Sequence, residues 1–307
     1  MGQAPLISSD AEDWIQKFIY DLKSNEDLSS KTLKQYSGDL RHLANWTETT
    51  WNRHQDKDIS FCPTQMTTPT IGRYREFMQT VQSLRPATIN RRLNTVKRFV
   101  EWAFEKKIIA MNVAKPIKLV PEEKTSPRQM TDKEEHILIT TVQNRSLRDY
   151  TLILLMLHTG LRSMELCLLQ RRDIIIGKRS GRLMVRSGKR NKQREVPLNA
   201  TIRHGLNHFF SENDFSQKDY LFCSKKTGNH LGERALRHII QKYMRLAGLE
   251  GLSAHDLRHR FGYVMAERTP LHRLAQIMGH DSLDTTMTYI RATREDLQKE
   301  VEKIAWQ

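Results

Sequence analysis

The sequence predicts a mainly α protein with a small antiparallel β-sheet (α+β), arranged in two domains. Three observations carry this prediction. Apolar residues recur at helical spacing through the first 115 positions. Three short strand-like runs joined by Gly-containing turns stand between Asp173 and Leu198, and an aperiodic stretch with three prolines separates the two regions. At 307 residues the chain is also longer than one core usually serves, about 250–300 residues.

In the first region Trp14, Phe18 and Leu22 fall at i, i+4, i+8, and Leu33, Tyr36, Leu40 and Leu43 continue the period in a second segment. A third segment, Ile71 to Val81, follows a polar loop containing Pro63 and Pro69. The fourth opens at Pro86, a residue suited to a first helical turn, and carries Ile89, Leu93, Val96 and Val100 on one stripe. Thr88, Asn90, Arg91, Arg92, Lys97 and Arg98 occupy its other faces, either as a solvated surface or as contacts to a DNA backbone. Lys115 to Arg128 reads KPIKLVPEEKTSPR and has no period. We therefore expect a helical domain over 1–117, a linker over 118–128 and a second domain over 129–307.

The second region mixes element types. Asp149 to Gln170 reads as two helices broken at Thr159-Gly160. Asp173–Ile176, Arg182–Arg186 and Arg194–Leu198 read as strands. Leu236, Ile239, Ile240, Tyr243, Met244 and Ala247 form an amphipathic helix that stops at Gly248, and further helices follow.

Composition narrows the function. The chain has 50 Lys+Arg against 35 Asp+Glu, a net charge of +15 and a pI near 9.8. A polyanionic partner is expected, nucleic acid before an anionic membrane surface. The excess is uneven, +4 over residues 1–126 and +11 over 127–307. The longest apolar run, Leu152 to Leu157, is far short of the roughly 18 residues of a membrane span. Met1 to Asp10 carries no basic start followed by an apolar run, so secretion is not expected. Three scattered cysteines (Cys62, Cys167, Cys223) suit a reducing, cytoplasmic home. No basic amphipathic anchor helix suggests membrane attachment.

Four stretches could carry chemistry. Ser253 and Asp256 make an S-x-x-D capping box, so a helix should start there. His255 and Arg258, three apart, then place an imidazole and a guanidinium side by side near an anion-favouring helix start. A helix opening at Thr269-Pro270 stops at Gly279, which holds His280 in a tight turn. The next helix has the stripe Leu283, Met287, Ile290, and Tyr289 lies roughly 120° away from it. Upstream, Arg162 follows the Gly160 turn, with Glu165 one helical turn on to orient it. Between two strands, Ser187 to Lys192 forms a basic hairpin turn with Lys189, Arg190 and Lys192. His204 and His208 are four apart but lack the Glu of a zinc motif, and no phosphate-binding GxxxxGK[ST] loop occurs.

Taken together, T-G-L-R-x-x-E-L, G-K-x-N-K-x-R-x-V-P-L, S-x-H-x-L-R-H and I-M-G-H-x-S-x-x-T-T-x-x-Y occur in an order and spacing that resemble the tyrosine recombinases, the integrase family that includes the Xer and Cre types. The likeness covers most of 130–295, and the first half looks like the family's helical core-binding domain. The resemblance implies a core-binding (SAM-like) domain and a catalytic domain forming a C-shaped clamp on DNA. It implies Tyr289 as nucleophile, Arg162 and Arg258 on the scissile phosphate, and Lys189, His255 and His280 completing the set. It further implies double-stranded DNA with inverted-repeat core sites as partner, a homodimer on each site and a homotetramer in synapsis. Accessory DNA-bending proteins, and a C-terminal helix within 291–307 that docks on a neighbour, are also expected, with no cofactor or metal. Two departures stand out: Arg260 where a small or hydroxyl residue is common, and Gly262-Tyr263 in place of Ala-Thr.

The residue types suit that reaction. A tyrosine oxygen displacing the 5′ hydroxyl stores the bond energy as a 3′-phosphotyrosine. Two guanidiniums present fixed, paired donors to the charge that gathers on the non-bridging oxygens, each such donor being worth on the order of 10²–10³ in rate. A phenol ionises near pH ~10, so a base is needed, and His255 is expected to supply it. Lys189 on its hairpin suits the acid that protonates the leaving hydroxyl, and His280 a hydrogen-bond donor to the phosphate. A type IB topoisomerase and a catalytically silent DNA-binding regulator remain as alternatives.

Overall fold

The computed structural model describes residues 7–52, 59–122, 128–186, 193–216, 219–224, 226–280, 282–289 and 301–302. The chain divides into two compact units, Met1–Lys124 and Thr125–Gln307.

The first unit packs four helices, α1 (Ser9–Asn25), α2 (Ser30–Trp51), α3 (Thr68–Thr80) and α4 (Pro86–Glu105). Each of the first three starts on a hydroxyl cap, Ser8, Ser29 and Thr67, whose side chain accepts a backbone N–H of the first turn. Pro69, expected in the preceding loop, instead lies in the first turn of α3, where its missing N–H costs nothing. The expected stripes close the core: Phe18, Leu40, Leu43, Ile71, Leu93 and Val96 are fully buried. Phe18, Phe99 and Trp102 interlock with ring centroids 5.4–5.6 Å apart. Asn90 corrects the expectation of a DNA-facing residue. It is buried, its amide donates to the Val120 carbonyl and the Glu122 carboxylate, and its oxygen accepts the Val120 N–H at 2.8 Å. It pins the segment leaving the unit against α4.

The second unit is built around α6 (Leu147–Thr159). Leu152 to Leu157 are all buried, so this helix is apolar on every side, as a central core helix must be. It packs against α5 (Asp132–Gln143), α8 (Ala200–Ser211) and α10 (Ala254–Ala266). The short α7 (Ser163–Cys167) follows it, and α9 (Glu233–Leu246) carries the expected amphipathic stripe, with Leu236, Ile240, Tyr243 and Met244 buried. The buried Asp149 carboxylate accepts the Tyr243 hydroxyl at 2.9 Å, joining α6 to α9.

The three expected strands form one antiparallel sheet, β1 (Ile174–Ile176), β2 (Gly181–Val185) and β3 (Arg194–Pro197), in the order β1-β2-β3. Leu183 pairs with Ile174 on one side and Val196 on the other, so one apolar row faces the core. The last elements are α11 (Leu271–Met278) and α12 (Leu283–Met287). Here one expectation fails. Leu283 and Met287, assigned to the inward stripe, are about half exposed, while Thr286 and Tyr289 are buried. Ile290 and nearly all of 291–307 lie outside the described residues. Among the described residues no helix is long and apolar enough to cross a membrane.

Candidate active site

Three chain reversals build the site. Gly160 ends α6 in the left-handed region (φ 62°), and the chain re-enters helix at once, with Arg162 as the cap of α7. Gly279 ends α11 in the same way (φ 66°) and delivers His280. The third is the start of α10, where the capping box forms: Asp256 accepts the Ser253 N–H at 2.7 Å, which fixes the turn bearing His255 and Arg258.

The two glycine turns also hold the arginines. Arg258 is buried, 3% exposed. Its guanidinium donates to the Gly160 carbonyl and, at 2.9 Å, to the Met278 carbonyl, both at helix C-termini where carbonyls lack helical partners. Burial first, and the neighbouring Arg162 second, lower its pKa to about 10, which still leaves it cationic at neutral pH. Arg162 donates to Glu165 at 3.0 Å and to the Gly279 carbonyl at 2.5 Å. Arg258 is buried and Arg162 part-exposed; each guanidinium keeps further N–H donors, and of the two only Arg162 bonds the Glu165 carboxylate.

Arg162, His255, Arg258, His280 and Tyr289 line one cleft of about 370 Å³, together with His259, Ser163 and Thr288. Lys189, Arg190 and Lys192 lie outside the described residues. His280 Nδ1 is 2.7 Å from the hydroxyl of the fully buried Thr286. Burial, followed by Arg258, Arg162 and Arg194, pushes the pKa of His280 down to about 4. The imidazole is therefore neutral at pH 7, with Nδ1 hydrogen-bonded to the Thr286 hydroxyl. His255 is also held below its ordinary value, by surrounding protein and then by Arg258. Tyr289 is buried, and its phenol is pushed up by burial against the opposing pull of Arg258 and Arg162.

Sequence reasoning missed two residues here. Arg194, at the start of β3, donates both terminal nitrogens to Glu165 at 2.7 Å and its Nε to the Ile277 carbonyl at 2.8 Å. Glu165 thus receives two arginines and, at 2.8 Å, the Arg162 backbone N–H as well. Desolvation works against its charge, but these partners prevail and its pKa is lowered. His259, one turn after His255, packs its ring 4.2 Å from His255 and 5.7 Å from Tyr289. The departure at Arg260 has a local reason: it pairs with Asp132 and Glu135, clamping α10 to α5.

In the first unit most of the expected DNA contacts already have partners. Arg91 pairs with Asp39, Arg98 pairs with Glu26, and Arg92 donates to His42 at 2.8 Å and to Gln82 at 3.4 Å. Thr88 and Lys97 are half-exposed.

The phage integrase family matches residues 128–296, and the phage integrase SAM-like domain matches 12–119. The chain belongs to the phage integrase family. Tyrosine recombinase XerC of Staphylococcus epidermidis is 26% identical over 92% of this chain and 94% of its own. Tyrosine recombinase XerA of Pyrococcus furiosus is 33% identical over 59% of this chain and 63% of its own length. Among solved structures, XerH site-specific recombinase bound to palindromic difH substrate superposes with a TM-score of 0.75, at 18% identity, over 98% of this chain and 97% of that one. This integrase-family chain therefore shares its fold with a recombinase bound to DNA, and five of its six expected catalytic residues, Arg162, His255, Arg258, His280 and Tyr289, line one cleft.

Proposed function

We propose that this protein is a site-specific DNA recombinase that cuts and rejoins double-stranded DNA through a 3′-phosphotyrosine on Tyr289. The observation that carries the reading is the convergence of Tyr289 with Arg162 and Arg258, from three elements far apart in sequence, on one cleft lined by basic side chains. The scissile phosphate would sit on the remaining donors of Arg162 and Arg258, whose guanidiniums are fixed before substrate arrives. His280, held in place by its hydrogen bond to Thr286, donates to a non-bridging oxygen. The phenolic proton leaves through the His255–His259 pair, both held neutral at physiological pH. Lys189 protonates the departing 5′ oxygen, which leaves as the hydroxyl. Attack of a second strand's 5′ hydroxyl on the phosphotyrosine reverses these steps and reseals the backbone. A dimer on inverted-repeat core sites, a tetramer in synapsis, and Thr88, Lys97, Arg190 and Lys192 on the DNA backbone complete the proposal.

A nicked suicide duplex tests it. Its core should be inverted repeats selected from random DNA by binding to this chain. The wild type should become covalently attached to the 3′ phosphate, and Tyr289→Phe should bind the duplex but form no adduct. Absence of any wild-type adduct, with binding intact, would leave a silent DNA-binding protein. Relaxation of supercoils without strand exchange between two sites would favour a topoisomerase.

A further inference from the structure

Beside Tyr289 stand two residues that the proposed reaction does not use, Tyr263 and Gly262. The Tyr289 ring stands 5.2 Å from Tyr263 at 89°, 5.7 Å from His259 at 60°, and 6.1 Å from His280 at 15°. Edge-to-face and offset contacts of this kind are the favourable aromatic geometries. The ring also meets bare backbone on α10, at Gly262. A Cβ at Gly262, one turn after Arg258 on α10, would stand 2.5 Å from Cε1, 2.6 Å from Cζ and 2.9 Å from Cδ1 of Tyr289. Carbon atoms pack at about 3.5–4.0 Å, so the phenol fills the space of the missing side chain. The backbone conformation does not itself ask for glycine there. Gly262 lies inside a helix, where alanine is the better residue, and it is not among the glycines with positive φ.

We propose that Gly262, walled by Tyr263, is the seat of the nucleophile: a positioning residue whose bare Cα lets the chain's own phenol dock on α10, beside Arg258, before DNA binds. The catalytic meaning of the seat rests on the recombinase reading; the docking itself does not. A methyl group at 262 pushes the ring outward by about 1 Å, and a displacement of that size costs on the order of 10²-fold in rate.

Two measurements on the full chain test the seat. In the free protein, nitration by tetranitromethane is mapped by peptide mass spectrometry, with the exposed Tyr20 as internal reference (74% exposed). Tyr289 should be protected in the wild type and in Tyr263→Phe, and should lose that protection in Gly262→Ala. On the selected nicked duplex, Gly262→Ala should form the covalent adduct on the order of 10²-fold more slowly at unchanged DNA affinity. Its unfolding midpoint should not fall. The slow rate should persist when the leaving 5′ oxygen is replaced by sulfur, because the fault then lies with the nucleophile and not with protonation of the leaving group. The proposal is overturned by equal Tyr289 reactivity in the two proteins, by a wild-type adduct rate in Gly262→Ala, by rescue with sulfur, or by a rate loss that tracks a falling midpoint. Protection without any wild-type adduct would keep the seat and remove the recombinase reading.

Discussion

A guanidinium stabilises a transition state only if it is held still, and for Arg162 part of the holding comes from Arg194, which is not among the residues lining the cleft. Arg194 grips Glu165 with both terminal nitrogens and the end of α11 with Nε, and Glu165 in turn orients Arg162. A lysine keeps the charge but not the fork. Arg194→Lys should therefore slow covalent adduct formation on the order of 10²-fold, the scale of a small misplacement, with little change in DNA affinity. The gap from wild type should narrow on a duplex whose scissile phosphate is an uncharged methylphosphonate, since Arg162 then has less charge to meet. An undiminished gap would show that Arg194 does not act through Arg162. The signal for this residue was present in the sequence. Arg194, Val196 and Leu198 alternate, Val196 and Leu198 are buried, and an arginine on that inward face demands an acidic partner. No such signal exists for Gly262, because no spacing rule says which ring will lie over a helical glycine.

At the scale of elements, the site depends on helices that stop at defined points. Gly160, Gly248 and Gly279 all have φ between 62° and 68°, but their surroundings differ. A Cβ at Gly248 meets nothing within 4 Å, one at Gly160 runs into the Phe261 ring, and one at Gly279 comes within 2.8 Å of the Arg194 guanidinium. Gly248→Ala should therefore show the backbone term alone, about 1–2 kcal/mol. Gly160→Ala should cost more, and should also displace the carbonyl that Arg258 holds. Urea titrations of the two variants separate the contributions, and equal losses would mean that Phe261 gives way freely. These stops, the capping box and the three strands were legible in the sequence because each follows from local chemistry. The inward face of α12 was not. Five residues make too weak a period to orient a helix, and the Thr286–His280 hydrogen bond with the packing of Tyr289 turns Leu283 and Met287 outward instead.

Across the whole molecule, acid should find a weak point in each unit. His42 is enclosed by Tyr74, Gln82 and Arg92, its Nε2 accepting from Arg92 at 2.8 Å, and burial followed by Arg92 lowers its pKa to about 4. His280 in the other unit reaches about 4 for the same two reasons, burial and arginines. An unfolded histidine binds a proton near pH ~6.5, so below that pH the unfolded chain gains protons that these two sites refuse. Their contribution to stability is complete above pH ~6.5 and is lost as the pH falls toward 4. Self-repulsion of a chain already at +15 acts in the same direction, but salt screens it. Calorimetry between pH 8 and pH 4 at two salt concentrations should show thermal midpoints that fall across this window and recover only in part with salt. His42→Gln should flatten the response of the first unit and leave that of the second. A response abolished entirely by salt would mean that net charge, and not the two enclosed imidazoles, governs the acid sensitivity of the fold.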